Sequence, residues 1–222
     1  MTHFFEQEME LLKEKLLTMG SQAETAVSRA MKALVDRDDD LARLVRDEDT
    51  ILDRFEIEVD DASISLLAKA PLASDLRLIT VGMKISQNLE RVGDEATTIA
   101  RRSIELSQEP QLKPYVDLPR MANLALDMLK DALDAFVSRN PEKARAVIPR
   151  DKEVDAINKQ LHRELAGFMV EKPTTISRAL NLMVISKSLE RVADHAKNIA
   201  EEVVYLYEAR DIRHHAEDQP SA

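Results

Sequence analysis

The chain repeats itself once along its length, and this repeat limits its fold more than any other feature. The motif Leu-Glu-Arg-Val-x-Asp occurs at residues 89–94 and again at residues 189–194. Around it, 11 of the 18 positions of residues 83–100 are identical in residues 183–200. Any fold for this chain therefore has to contain two similar units of about a hundred residues each.

The similarity continues upstream at an offset of 102 residues. Of the 19 positions from 35 to 53, 7 are identical in residues 137–155. Each unit thus carries two pairs of carboxylates at the spacing i, i+4, which places both members of a pair on one helix face. The repulsion between the two like charges destabilises the helix by about 0.2–0.5 kcal/mol when no counter-charge is present. We therefore expect a cation beside these pairs. The pairs are Asp49 and Asp53, Glu90 and Asp94, Asp151 and Asp155, and Glu190 and Asp194.

The composition predicts helices and no sheet. The chain has only 4 glycines in 222 residues, few aromatic residues, and many of the residues that favour helices. Apolar residues at intervals of three and four divide each unit into three helices. We predict an all-α fold of two tandem three-helix bundles, six long helices in total. The units span residues 1–110 and 111–210, and a polar tail follows at residues 211–222.

Caps and prolines give the expected helix boundaries. In the first unit, the landmarks are an end of helix one near Val35, a helix two from about Leu41 to Pro71, and a helix three from an N-cap at Ser74 to about Leu106. In the second unit, they are a helix four from Leu118 to Ser138, a helix five opened by Asn140 and Pro141, and a helix six capped by Thr174 or Thr175. Pro149 lies inside helix five and predicts a kink, because proline lacks an amide hydrogen.

Several classes of protein are disfavoured by what the sequence lacks. The chain contains no cysteine, hence no disulfide framework and no thiolate metal site. No apolar run approaches the roughly 18 residues of a membrane span, and the first residues lack the features of a signal peptide. A net charge of −10 opposes binding to nucleic acid or to an anionic membrane, and no glycine-rich phosphate loop is present. We expect a cytoplasmic protein that binds no nucleotide and does not insert into a membrane.

The four carboxylate pairs suggest metal binding. If helices two and three pack antiparallel with their acidic faces together, four carboxylates converge in each unit, and oxygen ligands suit hard divalent cations or iron. We expect such a site in at least one unit, with Fe, Mn, Mg or Zn as candidates. The simpler alternative is a solvated acidic face that pairs with nearby lysine and arginine side chains.

Three neighbours of the acidic motifs carry separate expectations. Arg91 and Arg191 lie about 100° around the helix from the preceding glutamate, so each is predicted to form a salt bridge with another helix. His195 has Glu95 as its counterpart in the first unit, and we interpret it as a surface histidine.

Acidic helical bundles also serve other functions. Ferritin-like di-iron proteins use Glu-x-x-His on two helices, whereas Gly93 and Ala193 stand at the histidine positions here. The few histidines suggest no Ser–His or Cys–His pair, so we predict a protein without enzymatic activity. A metal-buffering or metal-storage bundle and a purely structural adaptor remain as alternatives to a signalling role.

Residues 73–77, Ala-Ser-Asp-Leu-Arg, open helix three of the first unit. Together with the duplicated Asp-x-x-x-Asp and Leu-Glu-Arg-Val-x-Asp motifs, they make the chain, from about Phe4 to Tyr207, resemble the PhoU family. That resemblance implies a cytoplasmic, non-enzymatic signalling adaptor that keeps the phosphate-starvation response off when phosphate is plentiful. Its implied partners are the ATPase subunit of the phosphate ABC importer, a sensor histidine kinase and a second copy of the chain.

The resemblance also implies site residues. Metal clusters in this family are associated with the acidic motifs, which here are the four carboxylate pairs given above. A partner-binding role for Asp75 and Arg77 is implied for the first unit only, because the second unit has Thr-Ile-Ser-Arg at residues 175–178 instead.

Overall fold

The structure is a computed structural model that describes residues 2–69 and 72–212. It is all helical in these residues, as predicted. The α-helices are α1 (Thr2–Asp36), α2 (Asp39–Asp47), α3 (Thr50–Leu67), α4 (Ala73–Ser107), α5 (Asp117–Ser138), α6 (Pro141–Val147), α7 (Asp151–Glu171) and α8 (Ile176–Glu208). Short 3₁₀ turns lie at Ile148–Arg150 and Pro173–Thr175. Most of the predicted tail at 211–222 falls outside the described residues.

The six predicted helices are present, but the second and the fifth are each broken once. The break at Pro149 was predicted, and a 3₁₀ turn replaces the α-helical bonds there. The prediction of an unbroken helix two is wrong, because α2 ends before Glu48 and α3 starts at Thr50. The amide of Ile51 donates a hydrogen bond to the carbonyl oxygen of Glu48 (2.9 Å), and the amide of Leu52 donates one to the carbonyl oxygen of Asp49 (3.1 Å), so the chain forms a tight turn here. Both units therefore bend directly at their first carboxylate pair.

The start of α4 differs from the prediction. Ser74 is not the N-cap, since the helix already begins at Ala73. The first turn is instead closed by Asp75, whose carboxylate accepts a hydrogen bond from the amide of Leu72 at 3.1 Å. Asp75 thus stabilises the helix start, an effect typically worth about 1 kcal/mol.

At the start of α8, Thr175 occupies the N-cap position, one of the two that were predicted. Thr175 precedes the helix, but its hydroxyl makes no capping bond to α8. It donates instead to the carbonyl oxygens of Phe168 (3.0 Å) and Lys172 (2.8 Å) at the end of α7. This threonine therefore fixes the turn between the two helices.

The two units pack against each other through their long helices. α4 and α8 run antiparallel, since Lys84 of α4 pairs with Glu202 of α8, and Glu95 pairs with Arg191. α1 contacts α4, α5 contacts α8, and α1 contacts α5, so these four helices surround one continuous apolar core. α2 and α3 cover α1 and α4, and α6 and α7 cover α5 and α8. Across residues 2–69 and 72–212, no helix combines the length and apolar character that a membrane crossing requires.

α3 packs closely against α4 at a glycine. A Cβ atom added to Gly93 would lie 2.4 Å from Cδ1 of Leu52, far inside van der Waals contact. The repeat places Ala193 and Val154 at the equivalent positions of the second unit, and both are fully buried. In the second unit, α8 therefore has an additional methyl group at Ala193, and α7 has one methylene fewer at Val154. This close approach brings the carboxylates on either side of Leu52 towards α4.

Candidate metal sites and partner surface

The first unit brings its two predicted carboxylate pairs close enough to interact. Asp49 stands at the start of α3 and Asp53 one turn later, while Glu90 and Asp94 lie on α4. Asp49 accepts a hydrogen bond from the hydroxyl of Thr97 on α4 at 2.9 Å. The packing of α3 on α4 therefore places the two pairs against each other, as the repeat predicted.

The charges of this set act on one another. The pKa of Glu90 is raised to about 7, chiefly by burial and by the negative charge of Asp94, with smaller contributions from Glu56 and Asp53. Burial also raises the pKa of Asp49, and Asp53 and Asp94 add to it, while the Thr97 hydrogen bond opposes the rise. The set therefore favours protons or metal cations.

The salt-bridge partners of Arg91 differ from the prediction. Arg91 was expected to reach another helix, but its Nε lies 3.3 Å from Oε2 of Glu90 and its Nη1 lies 3.0 Å from Oδ2 of Asp94. The guanidinium is long enough to curl back over the helix surface and bridge both carboxylates. Arg191 behaves as predicted and pairs with Glu95 of α4 at 3.1 Å.

The second unit builds the equivalent set from α7 and α8. The pKa of Asp194 is raised to about 6, first by burial and then by the charges of Asp151, Glu190 and Asp155. Asp151 is the first residue of α7 and is only 7% exposed. All four predicted carboxylates of this unit thus also interact, at a site bounded by the bend at Pro149.

Three of the eight predicted ligands have a buried oxygen without a hydrogen-bond partner among the described residues. These atoms are Oε2 of Glu90, Oε2 of Glu190 and Oδ1 of Asp151. Arg91 approaches Glu90 within ion-pair distance, and Lys187 approaches Glu190 likewise, but neither contact has the geometry of a hydrogen bond. Arg91 and Lys187 thus already place a positive charge beside the two glutamate oxygens. An unsatisfied buried polar atom costs about 1–3 kcal/mol, and among the three this cost applies to Oδ1 of Asp151.

The donor set fits a hard metal, whereas the present side-chain positions do not yet enclose one. Within the described residues, no group of three or more His, Cys, Asp or Glu side chains is arranged to hold a metal ion. Basic side chains neutralise several of the carboxylates instead. To ligate an ion, the carboxylates would have to turn away from these basic partners.

The predicted partner-binding residues lie at the exposed end of α4. Asp75 and Arg77 are half-buried, and Nε of Arg77 has no hydrogen-bond partner in the described part of the chain. Beside them, Leu72 is 74% exposed and Leu76 is 41% exposed. These two leucines were not singled out from the sequence, and they extend the surface that Asp75 and Arg77 form.

His195 was predicted to be a surface residue, and the structure differs from that prediction. It is half-buried between α4 and α8, its Nδ1 lies 3.0 Å from Oδ1 of Asn88, and burial lowers its pKa. It lines an open cleft at the crossing of the two helices. The other residues that line this cleft are Arg91, Asp94, Glu95, Arg191, Asp194 and Asn198. One carboxylate of each acidic set, Asp94 and Asp194, therefore lines the same cleft.

A Ser–His contact exists that sequence reasoning did not find. Nε2 of His162 lies 2.9 Å from Oγ of Ser186, which donates to Oδ1 of Asn158 at 2.7 Å. Ser186 is fully buried, so no substrate can reach its hydroxyl in this structure. The contact satisfies polar groups between α7 and α8, a role that depends on helix packing and leaves no local sequence signal.

Comparison with known proteins places both units in one family. The model of the PhoU domain matches residues 16–103 and again residues 118–203. The chain is 42% identical over 212 residues to the phosphate-specific transport system accessory protein PhoU homolog of Pseudomonas aeruginosa, covering 95% of this chain and 88% of that protein. It is 33% identical over 216 residues to the phosphate-specific transport system accessory protein PhoU of Escherichia coli, covering 97% and 90%.

Solved structures agree with the fold. The crystal structure of PhoU from Pseudomonas aeruginosa superposes with a TM-score of 0.90 at 41% identity, over 93% of this chain and 100% of that one. The phosphate transport system regulatory protein PhoU from Streptococcus pneumoniae gives a TM-score of 0.89 at 31% identity, over 94% and 99%. The duplicated motifs, the two matched domains and these structures together show that the chain belongs to the PhoU family.

Proposed function

We propose that this chain is a cytoplasmic, non-enzymatic accessory protein of phosphate-specific transport that keeps the phosphate-starvation response off when phosphate is abundant. The observation that carries this proposal is the match over nearly the whole length, through both units, to proteins named as accessory or regulatory proteins of that system. In the proposed role, it links the ATPase subunit of the phosphate ABC importer to a sensor histidine kinase. It acts through contact, as a homodimer of two-unit chains divided at about residue 110.

The start of α4 is the proposed contact surface. Leu72 and Leu76 present apolar area, and the half-buried Asp75 and Arg77 lie beside them. Exposed apolar residues next to charged residues are features of protein interaction sites. The second unit also exposes apolar residues here, Ile176 and Leu180, but Lys172 replaces Leu72, and Arg178 is held against the linker by Glu109 and the carbonyl oxygen of Pro110. The first unit is therefore the one proposed to meet the ATPase or the kinase.

The acidic sets are the proposed metal sites. Asp49, Asp53, Glu90 and Asp94 would hold a divalent ion or an iron cluster in the first unit. Asp151, Asp155, Glu190 and Asp194 would do so in the second. The buried Oδ1 of Asp151, which has no hydrogen-bond partner among the described residues, and the oxygen-only donor set support this assignment. A bound cation would neutralise the mutual repulsion of the carboxylates and fix α3 on α4 and α7 on α8.

The acidic sets alone would also suit a metal-buffering bundle without signalling partners. Binding to purified partners separates the two functions. We expect the full chain, immobilised without a tag near α4, to retain the transporter ATPase or the cytoplasmic part of the kinase. Retention of neither protein, with and without added metal, would leave the buffering function as the better account.

The variant Asp75→Ala with Arg77→Ala tests the proposed surface. It should weaken one of the two partner contacts while circular dichroism shows an unchanged helix content. The matched control is Thr174→Ala with Ser177→Ala, two exposed positions at the equivalent end of the second unit. Equal losses of binding in both variants would contradict the assignment of the surface to the first unit.

A further inference from the structure

The outer helix of the first unit carries an exposed apolar and acidic surface. It consists of Ile57, Asp60, Asp61 and Ile64, which lie on the outward face of α3, and we call it the α3 stripe. Ile57 and Ile64 are 62% and 61% exposed and stand two turns apart. Asp61 is exposed and Asp60 is half-buried, and neither carboxylate has an ion-pair partner in the described part of the chain.

The basic residues around the α3 stripe face other carboxylates. Arg54 lies at the edge of the stripe, and its charge acts on Glu58. Glu58 also pairs with Lys15 of α1, and Lys69 pairs with Glu8. The two aspartates of the stripe are therefore not neutralised by these neighbours.

The repeat gives the second unit the opposite charge at the same place. The residues of α7 that correspond to the α3 stripe are Lys159, His162, Arg163 and Ala166. Lys159 and Arg163 are exposed one turn apart, and neither forms an ion pair with the residues that the structure describes. The acidic residues on the adjacent face, Glu153 and Glu164, pair with basic residues of other parts of the chain. Two unpaired carboxylates on α3 thus have two unpaired basic groups as their counterparts on α7.

Small residues surround this basic pair. Ala156, Ala166 and Gly167 are exposed on the same face of α7 as Lys159 and Arg163, and we call these five residues the α7 stripe. A Cβ atom added to Gly167 would have no atom within 4 Å, so the packing of this chain does not require a glycine there. Glycine inside a helix is destabilising, but it allows another element to approach the backbone closely. The α7 stripe is therefore a basic surface that a bulkier helix face can approach.

The two stripes complement each other in shape and in charge. The isoleucine side chains of the α3 stripe match the small residues of the α7 stripe, and the two aspartates match the lysine and the arginine. The stripes of one chain cannot meet, because α3 covers α1 and α4 on one side of the core, whereas α7 covers α5 and α8 on the other. A second copy of the chain presents both surfaces and can supply the missing partner of each.

We propose that copies of this chain associate head to tail, with the α3 stripe of one copy packed against the α7 stripe of the next. This inference rests on the proposed association of copies and names the surfaces that form it. The contact is heterologous, so a pair of copies keeps one free stripe at each end, to which further copies can add. Because each chain has a net charge of −10, repulsion between copies opposes the contact, and the size of the assembly depends on protein concentration.

Sedimentation velocity of the full chain over a range of concentrations tests the association. We expect the mean sedimentation coefficient to rise with concentration beyond the value of a dimer. Asp60→Lys with Asp61→Lys reverses the charge of the α3 stripe, and Lys159→Glu with Arg163→Glu reverses that of the α7 stripe. Each double variant should associate with itself more weakly by about tenfold or more, because like charges then face each other.

An equimolar mixture of the two double variants is the decisive sample. The variant with the reversed α3 stripe keeps an unchanged α7 stripe, and the other variant keeps an unchanged α3 stripe. The mixture therefore contains both halves of the original contact on different molecules, and association should return in it. A contact through any other pair of surfaces predicts no such recovery.

Gly167→Gln tests the contact without changing any charge. It should raise the melting temperature of the chain, because glutamine is a better helix former than glycine, and it should weaken association by filling the space that the second copy occupies. A purely structural role of this position predicts no change in association. If a charge reversal fails to fold, this variant still decides the question.

Two control variants make the same changes in net charge at exposed positions outside both stripes. They are Glu14→Lys with Asp127→Lys, and Lys32→Glu with Arg46→Glu. Both should associate as the unchanged chain does. Association that neither stripe reversal weakens, or a mixture that does not recover it, would overturn this inference and leave the proposed function intact. Loss of repression in the stripe variants with unchanged association would assign the stripes to another protein and would overturn it as well. A chain that stays monomeric at all concentrations would also contradict the homodimer of the proposed function.

Discussion

Replacing Gly93 with alanine tests the contact that holds α3 against α4. The added methyl group would lie 2.4 Å from Cδ1 of Leu52, a residue that is only 4% exposed. The second unit shows how the clash is avoided, because it combines Ala193 with the smaller Val154. We therefore expect Gly93→Ala to destabilise the protein, and Leu52→Val to rescue it.

The magnitude follows from opposing effects. Overpacking of a buried contact costs about 1–3 kcal/mol, whereas alanine is favoured over glycine inside a helix by about 0.8–1 kcal/mol. Gly93→Ala should then lower the free energy of unfolding by up to about 2 kcal/mol. Leu52→Val alone should cost about 0.5–1.5 kcal/mol for the lost methylene group. In the double variant the new methyl group fills the space that valine leaves, so its stability should equal or slightly exceed that of the unchanged chain.

Urea unfolding of the four proteins, followed by far-ultraviolet circular dichroism, measures this coupling as a double-mutant cycle. The expected coupling energy is about 1–3 kcal/mol in favour of the double variant. Mn²⁺ affinity of the first unit should fall in Gly93→Ala and recover with Leu52→Val, since the same contact positions Asp49 and Asp53. Losses that add within about 0.5 kcal/mol would refute the account of this contact.

Two further predictions concern the acidic sets. Burial and nearby charges raise the folded-state pKa of Glu90 from its ordinary 4.5 to about 7. Its contribution to stability is therefore present at low pH and is lost as the pH rises from 4.5 through 7. Glu90→Gln should for this reason stabilise the metal-stripped chain above pH 7. A pH profile of unfolding unchanged by Glu90→Gln would show that the carboxyl is not perturbed. Divalent metal should raise the melting temperature by mass action, and a chelator should lower it, most at low ionic strength. Identical melting curves before and after proven loss of metal would count against both sites.

The repeat made most of the fold and the grouping of the carboxylates predictable from the sequence. Apolar spacing predicted the six helices, and Pro149 marked one of the two breaks. The break at Glu48 and Asp49 was not predictable in the same way, because no proline or glycine stands there and the turn depends on how α2 and α3 pack on α1 and α4. The cap at Asp75 was missed because Ser74, the stronger local signal, lies one residue earlier.

The charge partners of the site were the least predictable part. Arg91 was assigned to another helix from its angle on the helix surface, but a flexible guanidinium can bridge residues on an adjacent face. The contacts of Lys197 with Asp151 and of His162 with Ser186 join different helices. Such contacts follow from tertiary packing, which helical periodicity does not determine.

The regulatory role is tested most directly by a phosphate-starvation reporter in a strain that lacks this protein and has no second member of the family. In high phosphate, we predict that the reporter is expressed in the deletion strain and is silenced again when the unchanged chain is restored. The same reporter should stay partly active with Asp75→Ala and Arg77→Ala. Full repression in the deletion strain grown in high phosphate would contradict the proposed function.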